Sequence, residues 1–484
     1  MHSVRLPEPH TDAAEYAAAL GAFLKNHAWL LDSHAVDFFV ADYWSAVFPA
    51  EWRALKDEGV CTTQELLELA TYGRVRPDWP ASLREFVERT RAVALPRQPE
   101  DAWVSSMVAD ARPLDARIVY GMKPKKRIEV QSLSALIDRL ARSHRIDSIV
   151  DMGAGQGYLD ACLVYSYGHT VIGVDDDMIQ TCGAKVKSDR IEQRMANQPR
   201  TGGRLFHVNR RVEPHESFAM VMQGLADASD NEAERCEIAR VVAGRDGAGA
   251  RWLLCGLHTC GDLAAAMIRQ FLTGDASVLC GVGCCYNHVT EQYGDEGDPV
   301  AGSGYPLSHA VRALGVQLGF SARMVACQAT CRWAEQPGAS DNFTKHFWRA
   351  LLQLVIVEHD LLPAASDTAS IIVGRLGRGA FGHGFATYAE HALKRLGIAY
   401  PTATLTRSVL ESYAERFASR EKEIAVVWTL RSMLAEAIES LLLIDRYLHI
   451  VEADPRLEVR LVPVFDPVDS PRNMALIAIK PSRQ

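Results

Sequence analysis

Gly153, Gly155 and Gly157 stand at alternate positions in S-I-V-D-M-G-A-G-Q-G-Y (148–158), directly after a β-branched run, and Asp175 closes the next apolar run 18 residues beyond Gly157. A strand that empties into a glycine-rich turn and a helix N-terminus lets backbone N–H groups approach a nucleotide-like ligand that side chains would hold away. An acid at the end of the second strand can accept both ribose hydroxyls. The pairing points to S-adenosylmethionine, and hence to methyl transfer. Asp151, Gly153, Ala154, Gly155, Gly157 and Asp175 would surround that cofactor, with Asp176 and Asp177 competing for the ribose or capping the next helix. A dinucleotide would want G-x-G-x-x-G, and position 158 is Tyr. An NAD-dependent oxidoreductase using the same turn is the alternative, and a noncatalytic binding protein of the same fold is a third.

A second group of reactive residues lies in G-L-H-T-C-G-D (256–262), where a later strand should end at the carboxyl edge of the sheet. Transfer from a sulfonium needs the acceptor in line with the methyl group, so positioning supplies much of the acceleration. A base matters when the nucleophile starts protonated. His258 could take a proton from a hydroxyl or amine near neutral pH, or only bond a loop carbonyl while Thr259 or Asp262 caps the following helix. Cys284, Cys285, Tyr286 and His288 should approach the same crevice, with Tyr286 stacking on a substrate base or walling the pocket. His258, Asp262 and Tyr286 are the candidate catalytic residues, and Leu257 joins the cofactor set. Adjacent cysteines lack the C-x2-C spacing of a zinc knuckle, so packing thiols are expected and no metal. The D/N-P-P-Y/F tetrad of amino-methylating adenine enzymes is absent here, which counts against base N6 dimethylation. Arg472-Asn473 is expected to serve turn structure ahead of reaching the substrate pocket from the hairpin.

These groups need a scaffold. Short apolar runs at 148–152, 170–174, 252–257 and 278–282 alternate with helical stretches, which calls for a parallel sheet covered by helices. Leu205 to Val208 is the best remaining strand and would set Asn209 near the adenine. Leu457 to Phe465 and Met474 to Ile479 read as closing strands joined by a proline-bounded loop. The expected class is α/β, a Rossmann-like class I methyltransferase core, mostly parallel with an antiparallel closing strand. The expected division is a helical N-terminal lobe (1–115), the first part of the core (116–290), a mainly helical insertion (291–455) and the closing strands (456–484). Leu133, Leu136, Ile137 and Leu140 form one helix face, preceded by the basic cluster Lys123, Lys125, Lys126 and Arg127. That cluster would contact phosphate or simply start a solvated helix.

With 484 residues, of which 48% are hydrophobic and 23% charged, the chain has ample core and the composition of a soluble protein. A net charge of -8 argues against a nonspecific nucleic-acid binder without excluding RNA. No export signal or membrane span is visible, and the eleven cysteines have no spaced framework, so a cytoplasmic protein with free thiols is expected, the nucleus being possible. Oligomeric state is left open.

Seven segments in order resemble the methyltransferase-like protein 25 family, which includes ribosomal RNA adenine dimethylase domain-containing protein 1. They are W-L-L-D-S-H-A-V-D-F-F (29–39), G-M-K-P-K-K-R-I-E-V (121–130), D-M-G-A-G-Q-G-Y-L (151–159), G-V-G-C-C-Y (281–286), G-Y-P-L-S (304–308), R-A-L-L-Q (349–353) and P-V-F-D-P-V-D-S-P-R-N (463–473). The resemblance implies a Rossmann-like core with helical additions using S-adenosylmethionine. It does not imply an acceptor. H-T-C-G-D-L (258–263) and G-C-C-Y-N-H (283–288) are more loosely similar to tRNA 2'-O-methyltransferases, whose zinc-finger segments are lacking here. A macromolecular acceptor is expected, RNA slightly ahead of protein.

Overall fold

The computed structural model describes residues 2–195, 202–229, 231–244, 250–292, 300, 302–362, 373–374 and 376–481. Among them eight strands form one sheet: β1 (His2–Val4), β2 (Ser148–Met152), β3 (Val171–Asp175), β4 (Leu205–Asn209), β5 (Trp252–Thr259), β6 (Val278–Gly283), β7 (Glu458–Pro463) and β8 (Met474–Ile479). Their order is β1-β7-β8-β6-β5-β2-β3-β4. Every pairing is parallel except those of β8 with β6 and β7. This is the α/β, Rossmann-like methyltransferase architecture expected from the alternating runs. The central strands β2 and β8 are buried throughout, as strands covered on both faces must be, and that is why their sequences are continuous apolar runs rather than alternating ones.

The order reverses direction at β2, which has β3 on one side and β5 on the other. A crevice opens at such a switch point, beyond the carboxyl ends of the strands. The register sets Asp151 beside Gly173 and Asp175 beside Asn209. The helix Pro124–Ser143 starts with proline at its first turn, where the missing N–H costs nothing, and buries Leu133, Leu136, Ile137 and Leu140 as the periodicity demanded.

Two compact units emerge. One comprises Met1–Ala22, Ala94–Cys327 and Ile438–Gln484 and carries the sheet; the other comprises Phe23–Val93 and Gln328–Ala437. The boundaries expected at 115/116, 290/291 and 455/456 fall inside the first unit. The physical reason is burial: Val104 packs in the same core as Val130, Leu133 and Leu253, so residues 94–115 belong with the sheet. His2–Val4 adds an edge strand along β7, which no sequence signal announced. The closing hairpin is held by Asn473, whose Nδ2 donates to Arg97 O at 2.7 Å and Phe465 O at 2.8 Å.

The second unit is helical among the described residues. Phe39 packs against Phe347 and Phe417, with centroids 6.0 and 4.9 Å away. The buried Arg431 guanidinium donates to the carbonyls of Leu30 and Leu31. The W-L-L-D-S-H-A-V-D-F-F segment is therefore a packing element. No helix among the described residues is long and apolar enough to cross a membrane.

Candidate functional site

At the end of β2 the chain turns through Gly153, Gly155 and Gly157, whose φ angles are +75°, +56° and +66°. Gly153 and Ala154 donate their N–H groups to Val174 O at 2.8 and 3.1 Å, tying the turn to β3. Gly155 N donates to Asp175 Oδ2 at 2.8 Å, and Asp177 N to Asp175 Oδ1 at 2.9 Å. A Cβ at Gly155 would meet nothing within 4 Å, whereas one at Gly157 would lie 2.7 Å from His207 Cε1. Position 155 thus presents bare backbone to open space, and position 157 needs glycine for packing as well as conformation. Asp175 keeps acceptor capacity, since an ionised carboxylate offers about four lone-pair sites. Asp177 caps the helix Met178–Met195 through Ile179 N at 2.8 Å. Asn209 Nδ2 donates to Asp175 O at 3.1 Å and Thr181 Oγ1 at 3.3 Å, steadying the end of β3.

Beneath the turn lies a feature the sequence reading missed. Asp151 and Asp160 are both buried, and Asp151 Oδ1 and both oxygens of Asp160 have no donor among the described residues. Burial pushes both carboxyls up, and the charge of Asp151 raises Asp160 further. Two such acids in a dry core resist ionising together, and the neutral form of Asp160 is favoured. Space for Asp160 comes from Gly173, where a Cβ would sit 2.3 Å from Asp160 Oδ2. His207, whose Nδ1 is 3.7 Å from Asp160 Oδ2, is pushed down to about 4 by burial and is neutral here. The readable signal was an acid in the first turn of a buried helix opposite a strand glycine.

The folded chain retains protons that the unfolded chain releases, so stability falls as pH rises above the ordinary Asp value, up to about 6 through Asp151 and further through Asp160. Asp160→Asn replaces a protonated acid by an uncharged group of the same shape. Thermal melts from pH 4 to 7 are expected to show a flatter profile and, at pH 7, a midpoint no lower than the parent's. A loss of more than about 4 °C at pH 7 would reject a neutral Asp160.

At the end of β5, His258 adopts φ +70° where the register with β6 shifts between Leu257 and Thr259. Such a bulge re-aims a side chain, and a left-handed non-glycine residue marks a conformation imposed by its surroundings. His258 Nε2 donates to Glu129 Oε2 at 3.0 Å. Glu129 is fully buried on Pro124–Ser143, and its Oε1 accepts from Ser470 Oγ at 2.7 Å. Burial alone would raise the Glu129 carboxyl, but His258, Lys126 and Ser470 together hold it down to about 2, so it stays ionised. Lys125 and Lys126 reach the same carboxylate at 3.3 and 3.5 Å. Half of the basic cluster thus serves an internal acid. In a neutral imidazole that donates from Nε2, the acceptor is Nδ1.

The other expected catalytic residues take different places. Asp262 accepts from Thr290 N at 2.9 Å with Oδ1 and from the Thr290 hydroxyl with Oδ2, so it staples two loops; its side chain does not cap the helix it precedes. Thr259 donates to Val282 O rather than capping. Tyr286 is 1% exposed and donates to Glu439 Oε1 at 2.8 Å, with the guanidinium carbons of Arg446 and Arg472 5.6 and 5.7 Å from its ring centre. A ring so enclosed has no face for a substrate base, which corrects that expectation. Arg472 is paired with Glu439 and Asn473 is fully buried, so both serve structure. Leu257, at the bulge, is buried.

Sequence reading also passed over a cleft of about 550 Å³ beside the glycine turn, lined by Arg117, Tyr120, Tyr158, Lys187, Arg190 and Arg194. Lys187 Nζ lies 3.2 Å from the Tyr158 ring centre and donates to Gln156 O at 3.0 Å. Burial lowers it to about 8. Tyr120 is 68% exposed, with the Arg194 guanidinium carbon 5.9 Å from its ring centre. Lys187, Arg190 and Arg194 recur at helical spacing, a signal present in the sequence.

A family profile described as a methyltransferase domain matches residues 125–292, which contain β2 to β6, the glycine turn and His258. The human protein named "Probable methyltransferase-like protein 25" is 23% identical, with 95% of each chain covered. The mouse protein of the same name is 23% identical over the same shares. The chain is thus similar to methyltransferase-like protein 25 from end to end, and its sheet-bearing segment 125–292 matches a methyltransferase domain.

Proposed function

We propose that the chain is an S-adenosylmethionine-dependent methyltransferase of a macromolecular acceptor, RNA ahead of protein, acting in a reducing compartment such as the cytoplasm, where its eleven free cysteines would stay thiols. The observation that carries the cofactor is the open backbone at Gly155 bonded to Asp175, which joins the carboxyl ends of β2 and β3. The lining fits the group: glycine backbone open to a ligand at position 155 on one side, a carboxylate with spare lone pairs on the other. S-adenosylmethionine supplies, when bound, an electrophilic methyl on a sulfonium. The chain's part is to bind, orient and deprotonate. Asp175 would hold the ribose, Gly153 to Gly157 the methionine side, and Asn209 would keep Asp175 in place through its carbonyl. Asp151 and Asp160 support the turn from below. His258, oriented by Glu129, would accept the acceptor's proton at Nδ1.

RNA is favoured by the cleft beside the turn. Its cations would meet phosphates, and the exposed Tyr120 offers a ring on which a base can stack. The overall acidic charge then confines binding to that surface. Titration with S-adenosylhomocysteine and with NADH separates methyl transfer from the dinucleotide reading. Labelled cofactor added with extract depleted of its own activity, followed by RNase or protease, identifies the acceptor. A noncatalytic protein would bind cofactor and transfer nothing. Arg190→Glu with Arg194→Glu is expected to lower the slope of log affinity against log salt for single-stranded RNA by about 1.4, two phosphate contacts' worth. An unchanged slope would remove the cleft from the acceptor path.

A further inference from the structure

Cys260 follows β5 and Cys284 and Cys285 follow β6, its parallel neighbour, so three thiols meet at one edge of the sheet. Their sulfurs form a nearly equilateral triangle: Cys260 to Cys284 3.2 Å, Cys260 to Cys285 3.2 Å, and Cys284 to Cys285 3.4 Å. None is in a disulfide. The absence of C-x2-C spacing is no objection here. That spacing describes a knuckle in which one turn supplies two ligands, whereas these come from the ends of two adjacent strands.

Packing thiols would be buried, as Cys255 and Cys280 are under the sheet's helices. Cys260 is instead exposed, and Cys284 and Cys285 are half-buried. The loops bearing them are pressed together: Gly261 N donates to Cys285 O at 3.3 Å, and a Cβ at Gly261 would lie 2.6 Å from His288 O. Only glycine permits that approach, so the backbone holds the triangle in place before any ligand arrives.

We propose that Cys260, Cys284 and Cys285 form a three-thiolate site for one zinc ion, with the fourth position open to water or an incoming ligand. A tetrahedral ion with Zn–S bonds of about 2.3 Å spaces its sulfurs by about 3.8 Å, so the triangle needs to open by about half an ångström. Three protein ligands with the fourth position left to water is the pattern of a site that keeps an exchangeable position. Binding requires thiolates, so each thiol releases its proton to solvent as the Zn–S bond forms, and no electron changes hands. The site is independent of the cofactor reading, because its test measures metal rather than methyl transfer.

The full chain, purified under reducing conditions after growth with zinc, is expected to carry about one zinc per chain. Cys260→Ser, Cys284→Ser and Cys285→Ser should each strip most of it, and Cys236→Ser, an exposed cysteine on the helix Glu232–Ala243, should not. Cobalt loading of the unaltered chain gives a readout that does not depend on a variant folding: an intense near-ultraviolet thiolate-to-cobalt band with visible bands of tetrahedral geometry is expected. The proposal is overturned if the chain as purified holds no more zinc than the triple serine variant, if cobalt gives no thiolate band, or if Cys236→Ser loses as much metal as the others.

Discussion

Replacing His258 with alanine is expected to lower the turnover of methyl transfer by about 10²- to 10⁴-fold, the range a positioned general base contributes. The affinity for S-adenosylhomocysteine should change far less. The expectation rests on three features of the same side chain: it stands at the carboxyl end of β5, a bulge aims it, and a buried, ionised Glu129 orients the ring through Nε2. Glu129→Gln keeps a hydrogen-bonding group of the same shape but removes the charge that stabilises a protonated imidazole, so it should fall between the parent and His258→Ala. Because residue 258 has positive φ, alanine also disturbs the backbone; His258→Asn, whose side chain tolerates that region, separates the lost base from the strained turn. Single-turnover rates on the acceptor, beside cofactor titrations, make the comparison. Parental turnover in both variants would take His258 out of the mechanism.

Asp175→Ala is expected to weaken S-adenosylhomocysteine binding by about 1 to 3 kcal/mol, roughly 5- to 150-fold. Two charge-assisted bonds to the ribose are lost, and Gly155 N–H loses its partner, so the turn itself loosens. Asp175→Asn retains an oxygen for Gly155 and lacks the charge, and should lie between. Calorimetric titration reads the difference directly. An unchanged affinity in Asp175→Ala would reject the ribose assignment and, with it, the placement of the cofactor between β2 and β3.

Most of the sheet was legible because parallel strands covered on both faces must be written as unbroken apolar runs. β2 and β8 fall where Ser148–Met152 and Met474–Ile479 were read, and β3, β4 and β6 end within a residue or so of expectation. The glycine turn and Asp175 were legible for a related reason. Their roles depend on local backbone geometry, and local geometry is what residue type and spacing encode.

Residue chemistry and strand position by themselves therefore determined the architecture, the glycine cradle and the acid facing it. Tertiary structure decided the rest, since those outcomes depend on which distant residue arrives next to each side chain. Glu129 reaches His258 across 129 positions, Tyr286 is enclosed by Glu439, Arg446 and Arg472, and Asp160 finds Asp151 only because Gly173 leaves room. A side chain's type announces what chemistry it can do, but burial and partners choose whether it does that chemistry or holds the fold together, and both are set by contacts between segments far apart in the chain.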